Sequence, residues 1–386
     1  MRICVITATR AEYGLLYPLL KRFNEEDSID VDIVVSGTHL LERYGNTKEE
    51  IYEDNLGHVF EIDIIGEYGN DACGISNIMA QAIHKFAEYL KYNRPDLAVI
   101  LGDRYEMMAF AIPLLNEKIP IAHLNGGEVT GGLLDESYRH CITKMSTLHF
   151  TNCEAHRNRV IKMGENPHNV YNVGDICIDN IINTQLYSLS ELEEKFKIDL
   201  RERQIILFTY HPVTVEDYSS IELQNLLQVI SEFDDMYYIF TMSNADKDGE
   251  RINSIIREYV AEHDNSLLVP SLGRRGYISM LKYAKAVIGN SSSGIYEAPY
   301  FGIPTINVGI RQKDRLHGMT VIDCDGDIKS IKEAIKYAFS PEFIRACKKE
   351  TNIWGDGTTA DKIVQIILKR WSEGIEVRKS FYDGLE

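Results

Sequence analysis

Several common signatures of protein function are missing from this sequence. It contains no GxGxxG and no Walker sequence, so dinucleotide and triphosphate binding both lack their usual fingerprint. The seven cysteines are scattered and never occur in a CxxC spacing, which argues against a disulfide framework and against a zinc site. No apolar run approaches the roughly 20 residues that span a membrane, and the N-terminal segment has no signal-peptide pattern. We therefore expect a cytoplasmic protein without a membrane partner.

Positive charge is also scarce. The sequence has 41 Lys and Arg residues against 58 Asp and Glu residues, which gives a formal net charge of −17 spread along the chain. Such a field repels the phosphates of nucleic acids, so no nucleic-acid partner is expected. A small anionic ligand would have to be met by local donors. Each cluster of arginines in this acidic chain is therefore informative.

The sequence does contain a regular alternation of short, β-rich apolar runs with amphipathic segments of helical length. This pattern predicts an α/β fold built from βαβ units around parallel sheets, and a length of 386 residues suits two domains. We expect two Rossmann-like, doubly wound domains that face a cleft, over residues 1–180 and 204–358, with a linker region at 181–203. A helix within residues 359–386 is expected to pack back on the first domain.

Eleven apolar runs are interpreted as strands. They are Arg2–Thr7, Val31–Ser36, Leu97–Leu101, Ile119–Leu124, Leu148–Thr151 and Val170–Val173 in the first domain, and Gln204–Thr209, Tyr237–Met242, Ser266–Val269, Ala286–Ile288 and Thr305–Val308 in the second. The halves echo each other, because AVILGDR followed by KIPIAHLNGG resembles AVIGNSS followed by GIPTINVG. Ligands of doubly wound sheets bind beyond the carboxyl ends of the strands, so the polar loops there are expected to face one crevice.

The segment VIGNSSSGIYEAP, residues 287–299, carries the clearest ligand signal. Ser291, Ser292 and Ser293 follow a strand and precede a helical pattern, where free N–H groups and the helix dipole form an anion site. A plain helix cap would need only one serine, whereas three favour the close approach of a diphosphate. Glu297 lies one turn further on and is placed to accept hydrogen bonds from a ribose, unless it is simply a solvated helix residue.

Two further features of the second half suit phosphate. Arg311, Lys313 and Arg315 follow a strand end, and a basic loop in this acidic chain fits an anionic ligand better than a solvated charge run. His211, in TYHPVT, ends another strand immediately before a proline, which aims its imidazole at the cleft. A histidine there can donate to a leaving phosphate or transfer a proton near neutral pH.

Carboxylates collect in the strand-end loops of the first half. Asp103, Glu128, Asp135 and Glu136 come from three such loops, and carboxyl groups in different environments can act as general acid and general base. Alternatively, Asp135 caps a helix that begins at Glu136. Arg10 lies in the loop after the first strand and can reach a phosphate or a sugar of a ligand in the cleft.

Taken together, these motifs resemble those of the hydrolysing UDP-N-acetylglucosamine 2-epimerases of the bacterial sialic-acid pathway. In chain order they are TxxRAEYG, GDRYE, GGE, DESYRH followed by ITK, YHPVT, SNAD, IGNSSSG with a glutamate three residues later, and RQ. The resemblance implies a fold like that of the B-type glycosyltransferases (GT-B), a UDP-sugar in the cleft, and release of UDP and N-acetylmannosamine without a metal ion or other cofactor. It also implies a homo-oligomer, either a dimer through the first domain or a tetramer.

The resemblance also implies two sets of site residues. The UDP-sugar contacts would be Arg10, Arg104, His211, Asn244, Leu272, Ser291, Ser292, Ser293, Glu297 and Arg311. The catalytic set would be Asp103, Glu128, Asp135 or Glu136, and His211. These residue types suit an elimination in which UDP leaves as an anion and a carboxylate removes the C2 proton to give a 1,2-glycal. Water then adds, with a proton delivered to the opposite face of C2, and which carboxylate is acid or base is left open.

Three alternatives remain at this point. A glycosyltransferase of the same architecture would transfer the sugar of a UDP-sugar to an acceptor. A regulator would bind the UDP-sugar without turnover, although a binder of an anion gains little from carboxylates beside its ligand. Within the family, the substrate could be a UDP-linked 2,4-diacetamido-trideoxy sugar on the legionaminic acid route, because the contacts to C4 and C6 are not legible in the sequence.

Overall fold

A computed structural model describes residues 1–42, 45, 47–69, 71–131, 134–212, 219–243, 247–350 and 352–384. The chain divides into two compact units. Unit 1 comprises Met1–Val129, Leu133–Ile182 and Trp354–Glu386, and unit 2 comprises Thr130–Gly132 and Asn183–Ile353. The C-terminal stretch of the sequence therefore belongs to the same unit as the N-terminal half.

Unit 1 is organised around one parallel sheet. Its seven strands, counted over the described ranges, are β1 (Arg2–Thr7), β2 (Asp30–Ser36), β3 (His58–Ile62), β4 (Leu97–Leu101), β5 (Ile121–Leu124), β6 (Leu148–Thr151) and β7 (Val170–Asn172). Their order in the sheet is β3-β2-β1-β4-β5-β6-β7. Cys4 of β1 is paired with Asp32 of β2 on one side and with Ala98 of β4 on the other. The winding of the chain therefore reverses between β1 and β4.

Unit 2 repeats this plan with a second parallel sheet. In the part of unit 2 that the structure describes, six strands form it: β8 (Gln204–Thr209), β9 (Met236–Thr241), β10 (Ser266–Val269), β11 (Ala286–Gly289), β12 (Thr305–Val308) and β13 (Val321–Cys324). The order is β10-β9-β8-β11-β12-β13, which is the 3-2-1-4-5-6 order of doubly wound sheets. The predicted fold class is confirmed, and the two echoing segments form β4 with β5 and β11 with β12, at equivalent places.

Helices connect the strands and cover both faces of each sheet. In unit 1 they are α1 (Arg10–Asn24), α2 (Lys48–Asp54), α3 (Ala72–Leu90), α4 (Tyr105–Asn116), α5 (Leu134–Met145), α6 (Glu154–Lys162), α7 (Ile176–Asn183), which ends one residue into unit 2, and α15 (Thr359–Glu373). In unit 2 they are α8 (Leu189–Phe196), α9 (Ser219–Ile230), α10 (Lys247–Glu262), α11 (Gly273–Tyr283), α12 (Ser293–Tyr296), α13 (Ile328–Ala338) and α14 (Pro341–Cys347).

Burial on both faces explains why the central strands read as continuous apolar runs. In β1, Ile3 and Val5 pack in one core cluster with residues of α1 and α15. Cys4 and Ile6 point to the opposite face and pack in a second cluster with residues of α3 and α4. Successive side chains of a strand alternate between faces, so a sheet covered on both sides needs apolar residues at every position.

The last helix, α15, is fastened to the rest of unit 1 at its start. The buried carboxylate of Asp179 accepts hydrogen bonds from the N–H groups of Thr359 and Ala360 at 3.1 and 2.8 Å. Asp361 then pairs with Arg22 of α1 at 2.7 Å. The first N–H groups of a helix have no partner within the helix, so a carboxylate at this place anchors the returning chain.

No helix of the described residues combines the length and the apolar character needed to cross a bilayer.

Candidate active site

In unit 1, a buried arginine joins two strand-end loops to a helix. Asp103 follows β4, and its Oδ2 accepts a hydrogen bond from Nη2 of Arg139, a residue of α5 that is only 1% exposed. Nη1 of Arg139 donates to the main-chain oxygen of Glu128, in the loop after β5, at 3.1 Å. Because a buried guanidinium needs hydrogen-bonded anionic or carbonyl partners, Arg139 holds Asp103 and the Glu128 loop together.

Asp135 and Glu136 lie side by side in the first turn of α5 but have different surroundings. Burial, followed by the negative charge of Asp103, raises the pKa of Asp135. Glu136 instead lies 3.7 Å from Nε2 of His140, one turn further along the same helix. Since α5 begins at Leu134, Asp135 lies inside the helix and does not precede it as a cap. The negative charge of Asp103 therefore acts on Asp135.

The carboxylate of Glu128 is almost entirely buried. Its Oε1 accepts a hydrogen bond from Nδ2 of Asn152 at 2.7 Å. The preceding Gly127 has a φ of +83°, and a Cβ at this position would lie 2.5 Å from the His156 carbonyl oxygen. Only glycine fits at position 127. The GGE motif therefore forms a turn that directs the side chain of Glu128 into the interior.

The two arginines predicted to contact ligand in unit 1 have protein partners. Arg104 forms a bidentate pair with the buried carboxylate of Glu106, at 2.7 and 3.1 Å, and its Nε lies 3.8 Å from Oε1 of Glu12. Burial raises the pKa of Glu12 to about 7. Arg10, the first residue of α1, is largely exposed and lies 3.6 Å from Glu50. Glu12 and Glu106 were not predicted, although both stand in the RAEYG and GDRYE motifs.

A buried histidine supports the loop that carries Asp103. Nε2–H of His123 donates to the carbonyl of Gly102 at 2.7 Å, and Nδ1 accepts from the hydroxyl of Thr143 at 3.1 Å. Burial lowers the pKa of His123 to about 3, so the imidazole is neutral at physiological pH. His123 therefore supports this loop as a neutral donor and is not charged there.

In unit 2, the side chain of Asn290 joins the loops that follow β8 and β11. The N–H group of His211 donates to Oδ1 of Asn290 at 2.7 Å, and Nδ2 of Asn290 donates back to the His211 carbonyl at 2.8 Å. The carbonyl of Asn290 accepts hydrogen bonds from Arg311 and Gln312 at 2.9 and 2.8 Å. Asn290 thus brings His211 and Arg311 to one group of strand ends.

Burial shifts the pKa values of His211 and Arg311. Burial, helped by the positive charge of Arg311, lowers the pKa of His211 to about 4, and Nδ1 of the ring lies 3.1 Å from the hydroxyl of Ser243. Burial and the neighbouring Arg315 lower the pKa of Arg311 to about 10, so it remains a cation. A partly buried cation beside a neutral imidazole suits an anionic ligand, because the anion would stabilise positive charge on both.

The serine-rich segment differs from the predicted capped helix. It follows Gly289, whose φ is +135° and where a Cβ would lie 1.9 Å from the Thr209 carbonyl oxygen. The helix α12 is a single turn, and Ser292 at its start makes no capping hydrogen bond through its side chain. Glu297 is the C-cap of this turn instead of lying inside a longer helix. The helical pattern continues after Glu297 as a 3₁₀ turn, Ala298–Phe301, because Pro299 cannot donate the N–H group that an α-helix would need there.

The remaining predicted contacts are Leu272 and Asn244. Leu272 is buried and precedes α11. Asn244 lies outside the described residues, with the rest of the SNAD motif after Ser243.

Among the residues that the structure describes, no group of three His, Cys, Asp or Glu side chains is placed to hold a metal ion.

The chain is similar to known proteins of one family. A family model described as UDP-N-acetylglucosamine 2-epimerase matches residues 21–368. The GDP/UDP-N,N′-diacetylbacillosamine 2-epimerase (hydrolyzing) of Campylobacter jejuni is 35% identical over 384 residues, which cover 99% of both chains. Polysialic acid biosynthesis protein P7 of Escherichia coli is 34% identical over 384 residues, covering 99% of this chain and 97% of that protein.

Solved structures share the fold. The UDP-GlcNAc 2-epimerase of Neisseria meningitidis, in a crystal structure with bound UDP-GlcNAc, aligns with a TM-score of 0.83 over 96% of this chain and 100% of that one. The sequence identity is 16%, so this likeness establishes the GT-B-like fold alone.

Proposed function

This chain belongs to the UDP-N-acetylglucosamine 2-epimerase family, and we propose that it is a hydrolysing member, which converts a UDP-linked 2-acetamido sugar and water into UDP and the free 2-epimer. The observation that carries the proposal is the junction at Arg139, which holds Asp103 beside the Glu128 loop, with Asp135 next to Asp103. Acids and bases for two proton transfers are thus present in one unit. The hydrolysing activity in the name of the Campylobacter jejuni relative supports the same reaction.

We place UDP in unit 2. His211 and Arg311 follow β8 and β12, the strands on either side of β11, and both contact Asn290 at the end of β11, directly before the serine-rich segment. In a chain with a net charge of −17, the partly buried cation of Arg311 is the feature best suited to a diphosphate. As the C1–O bond breaks, the electron pair passes to the UDP oxygen, and these donors stabilise the charge that develops there.

Unit 1 supplies the proton transfers. Departure of UDP leaves positive charge at C1, which acidifies the C2–H bond, and one carboxylate of Asp103 or Glu128 removes that proton to give a 1,2-glycal. Water then adds its oxygen to C1 while a proton is delivered to the opposite face of C2. Asp135, whose pKa is raised, is the group that we assign to proton delivery. Water is consumed and both protons are accounted for, so the products are UDP and the free 2-epimer.

The carboxylates of unit 1 also help to separate the proposed enzyme from two alternatives, a regulator and a glycosyltransferase. A regulator that only binds a UDP-sugar would weaken its own affinity by burying acids near an anion. A glycosyltransferase of the same architecture would need an acceptor, whereas the proposed enzyme needs only water. Release of UDP in the absence of any acceptor therefore separates a hydrolysing epimerase from a transferase.

The test of the proposed function is a reaction in D₂O followed by proton NMR. The expected products are UDP and a free 2-epimer that carries deuterium at C2, because the proton returned to C2 comes from solvent. A product that retains the original C2 hydrogen contradicts the elimination. Absence of UDP release from every UDP-linked 2-acetamido sugar contradicts the proposed function as a whole.

Two sugars are candidates for the substrate. UDP-N-acetylglucosamine, with N-acetylmannosamine as its product, is the sugar named for the family and for the Neisseria structure. UDP-N,N′-diacetylbacillosamine, a 2,4-diacetamido sugar, is favoured by the name of the Campylobacter jejuni relative. Measuring kcat/KM for both sugars side by side decides between them, and we expect the true substrate to be preferred at least about tenfold, as a site that pairs a buried polar group of its substrate discriminates strongly.

A further inference from the structure

Behind Glu128 lies a buried asparagine that bridges two carboxylates. Asn152 follows β6 and is 1% exposed. Its Nδ2 donates to Oε1 of Glu128 at 2.7 Å and to Oδ2 of Asp175 at 3.0 Å. Glu128 and Asp175 are themselves only 7% and 3% exposed. One amide group therefore serves two buried carboxylates that come from different loops of unit 1.

The orientation of the Asn152 amide follows from the chemistry of its neighbours. An ionised carboxylate can only accept hydrogen bonds, so the NH₂ group, with its two hydrogens, must face Glu128 and Asp175. The amide oxygen then faces Nδ1 of the buried His156, which lies at hydrogen-bond distance and must carry the proton. Turning the amide over would lose all three hydrogen bonds. The side chain has one satisfactory orientation, and it points an N–H group at Glu128.

The second carboxylate is fixed from behind. Oδ1 of Asp175 accepts from the N–H group of Cys177 at 2.9 Å, and the main-chain N–H group of Asp175 donates to the Trp354 carbonyl at 2.6 Å. Asp175 is thus anchored to α7 and to the segment in which the chain returns to unit 1. Asn152 is held by fixed groups on one side and presents its remaining N–H bond to Glu128 on the other.

We propose that Asn152 is a positioning residue for Glu128, fixing the direction in which this carboxylate faces the sugar ring. The inference rests on the proposed function, because it assumes that Glu128 takes part in proton transfer. A reacting carboxylate must be held within a fraction of an ångström and about 10–20° of its productive geometry, and a network of fixed hydrogen bonds behind it provides this. Asn152 itself does not touch the reacting atoms.

The first test is Asn152→Leu, which keeps the size of the side chain and removes its hydrogen bonds. We expect kcat to fall about 10- to 100-fold, while KM for the UDP-sugar and the affinity for UDP stay within about twofold, because the altered group acts on geometry and not on nucleotide binding. Asn152→Ser, which cannot reach both carboxylates, serves as a second variant if the leucine variant does not fold.

A matched control separates positioning from stability. Asn307 of β12 is also buried, at 3% exposed, and its Nδ2 donates to Oδ1 of Asp323 at the same 2.7 Å. Asn307→Leu therefore removes a hydrogen bond from a buried amide to a carboxylate elsewhere in the chain, although Asp323 itself is exposed. We expect it to lower thermal stability and to leave kcat within about twofold of wild type.

The decisive measurement combines Asn152→Leu with Glu128→Gln. If Asn152 acts through Glu128, the double variant turns over no more slowly than Glu128→Gln alone. A further 10- to 100-fold loss in the double variant would show that Asn152 acts independently, and a wild-type kcat in both Asn152 variants would equally overturn the inference. Wild-type enzyme assayed in parallel keeps the two hypotheses apart: if it releases no UDP, the proposed function fails, whereas an active wild type with insensitive Asn152 variants refutes only the positioning role.

Discussion

Two adjacent carboxyl groups on α5 illustrate how environment, and not residue type, assigns chemistry. Asp135 and Glu136 are neighbours in the chain and share one helical turn. Burial and the nearby Asp103 raise the pKa of Asp135, whereas Glu136 faces His140. A carboxyl whose pKa is raised is more readily protonated, as a group that delivers a proton must be. The pair therefore offers a direct comparison of a candidate acid with a matched neighbour.

We predict that Asp135→Asn lowers kcat by roughly 10²- to 10⁴-fold, the range found when a general acid or base is removed. Glu136→Gln makes the same chemical change one residue away and should leave kcat within a few-fold of wild type. Both variants keep the size of the side chain, so circular dichroism should show intact folding. Steady-state release of UDP measures the difference, and the reverse ranking would reassign proton delivery to Glu136.

At this scale, the sequence singles out polar residues at strand ends more readily than the residues that hold them. Asp103 and Glu128 were proposed as site residues because polar residues at the ends of parallel strands are expected on the ligand side of the sheet. Arg139, Asn152 and Asn290 were not singled out, since their partners come from loops distant in sequence. Only their position in the sequence could have pointed to Asn152 and Asn290, because each directly follows a buried strand.

The C-terminal tail, residues 374–384 after α15, is attached to the rest of unit 1 through Lys379. Glu165 is 3% exposed and accepts hydrogen bonds from Lys144 at 2.5 Å, His149 at 3.0 Å and Lys379 of the tail at 2.7 Å. Although burial opposes its charge, these partners lower the pKa of Glu165 to about 2. Nζ of Lys379 also donates to the Ser146 carbonyl at 2.6 Å. The tail therefore fastens the C-terminal end of α5, the helix that carries Asp135.

We predict that Lys379→Met lowers the free energy of unfolding of unit 1 by about 1–3 kcal/mol. Breaking a buried ion pair costs about 3–5 kcal/mol, and the smaller figure allows for the partial exposure of Lys379 and for the two partners that Glu165 keeps. The control is Lys369→Met, which removes an exposed pair with Glu373 at 3.9 Å and should cost less than about 0.5 kcal/mol. Urea denaturation measures both, and equal values would show that the tail does not brace unit 1.

The sequence predicted the central strands of both sheets and two of the four edge strands, β7 and β10. The strands inside both sheets were found within two residues of their bounds; the run from Ile119 begins instead at Ile121 because Pro120 cannot donate to the ladder. The edge strands β3 and β13 were missed. In β3 only Ile62 is buried, and His58 and Glu61 are exposed. An edge strand covered on fewer sides carries polar residues, so it lacks the apolar run by which a strand is detected.

At the scale of the whole molecule, the two units are variants of one plan. In both sheets the winding reverses beside the first strand, between β1 and β4 and between β8 and β11. The groups described for each unit lie in loops that follow these strands and their neighbours. Asp103 and Asn290 follow β4 and β11, so equivalent positions carry a carboxylate in one unit and, in the other, an amide that joins two loops. The shared topology accounts for this placement, since ligands of such sheets bind at the reversal point.

The same plan buries titratable groups at the strand ends, and this makes the stability of unit 1 depend on pH. Burial lowers the pKa of His39 to about 4 and that of His123 to about 3, against about 6.5 in the unfolded chain. Their stabilising contribution is complete above pH 6.5 and is lost as the pH falls toward 4. Glu12 has the opposite sign, because burial raises its pKa to about 7 and its contribution is lost as the pH rises from 4.5 through 7.

We therefore predict opposite effects of two substitutions on the slope of stability against pH between 4.5 and 6.5. In this window, a group whose proton occupancy differs by one between the folded and the unfolded chain changes the slope of the free energy of unfolding by about 1.4 kcal/mol per pH unit. His123→Gln should flatten the loss of stability on acidification by about that amount, and Glu12→Gln should steepen it. Both tryptophans of the chain, Trp354 and Trp371, belong to unit 1, so urea denaturation followed by tryptophan fluorescence reports on this unit. Slopes that shift in the same direction in the two variants would show that these groups do not set the pH dependence.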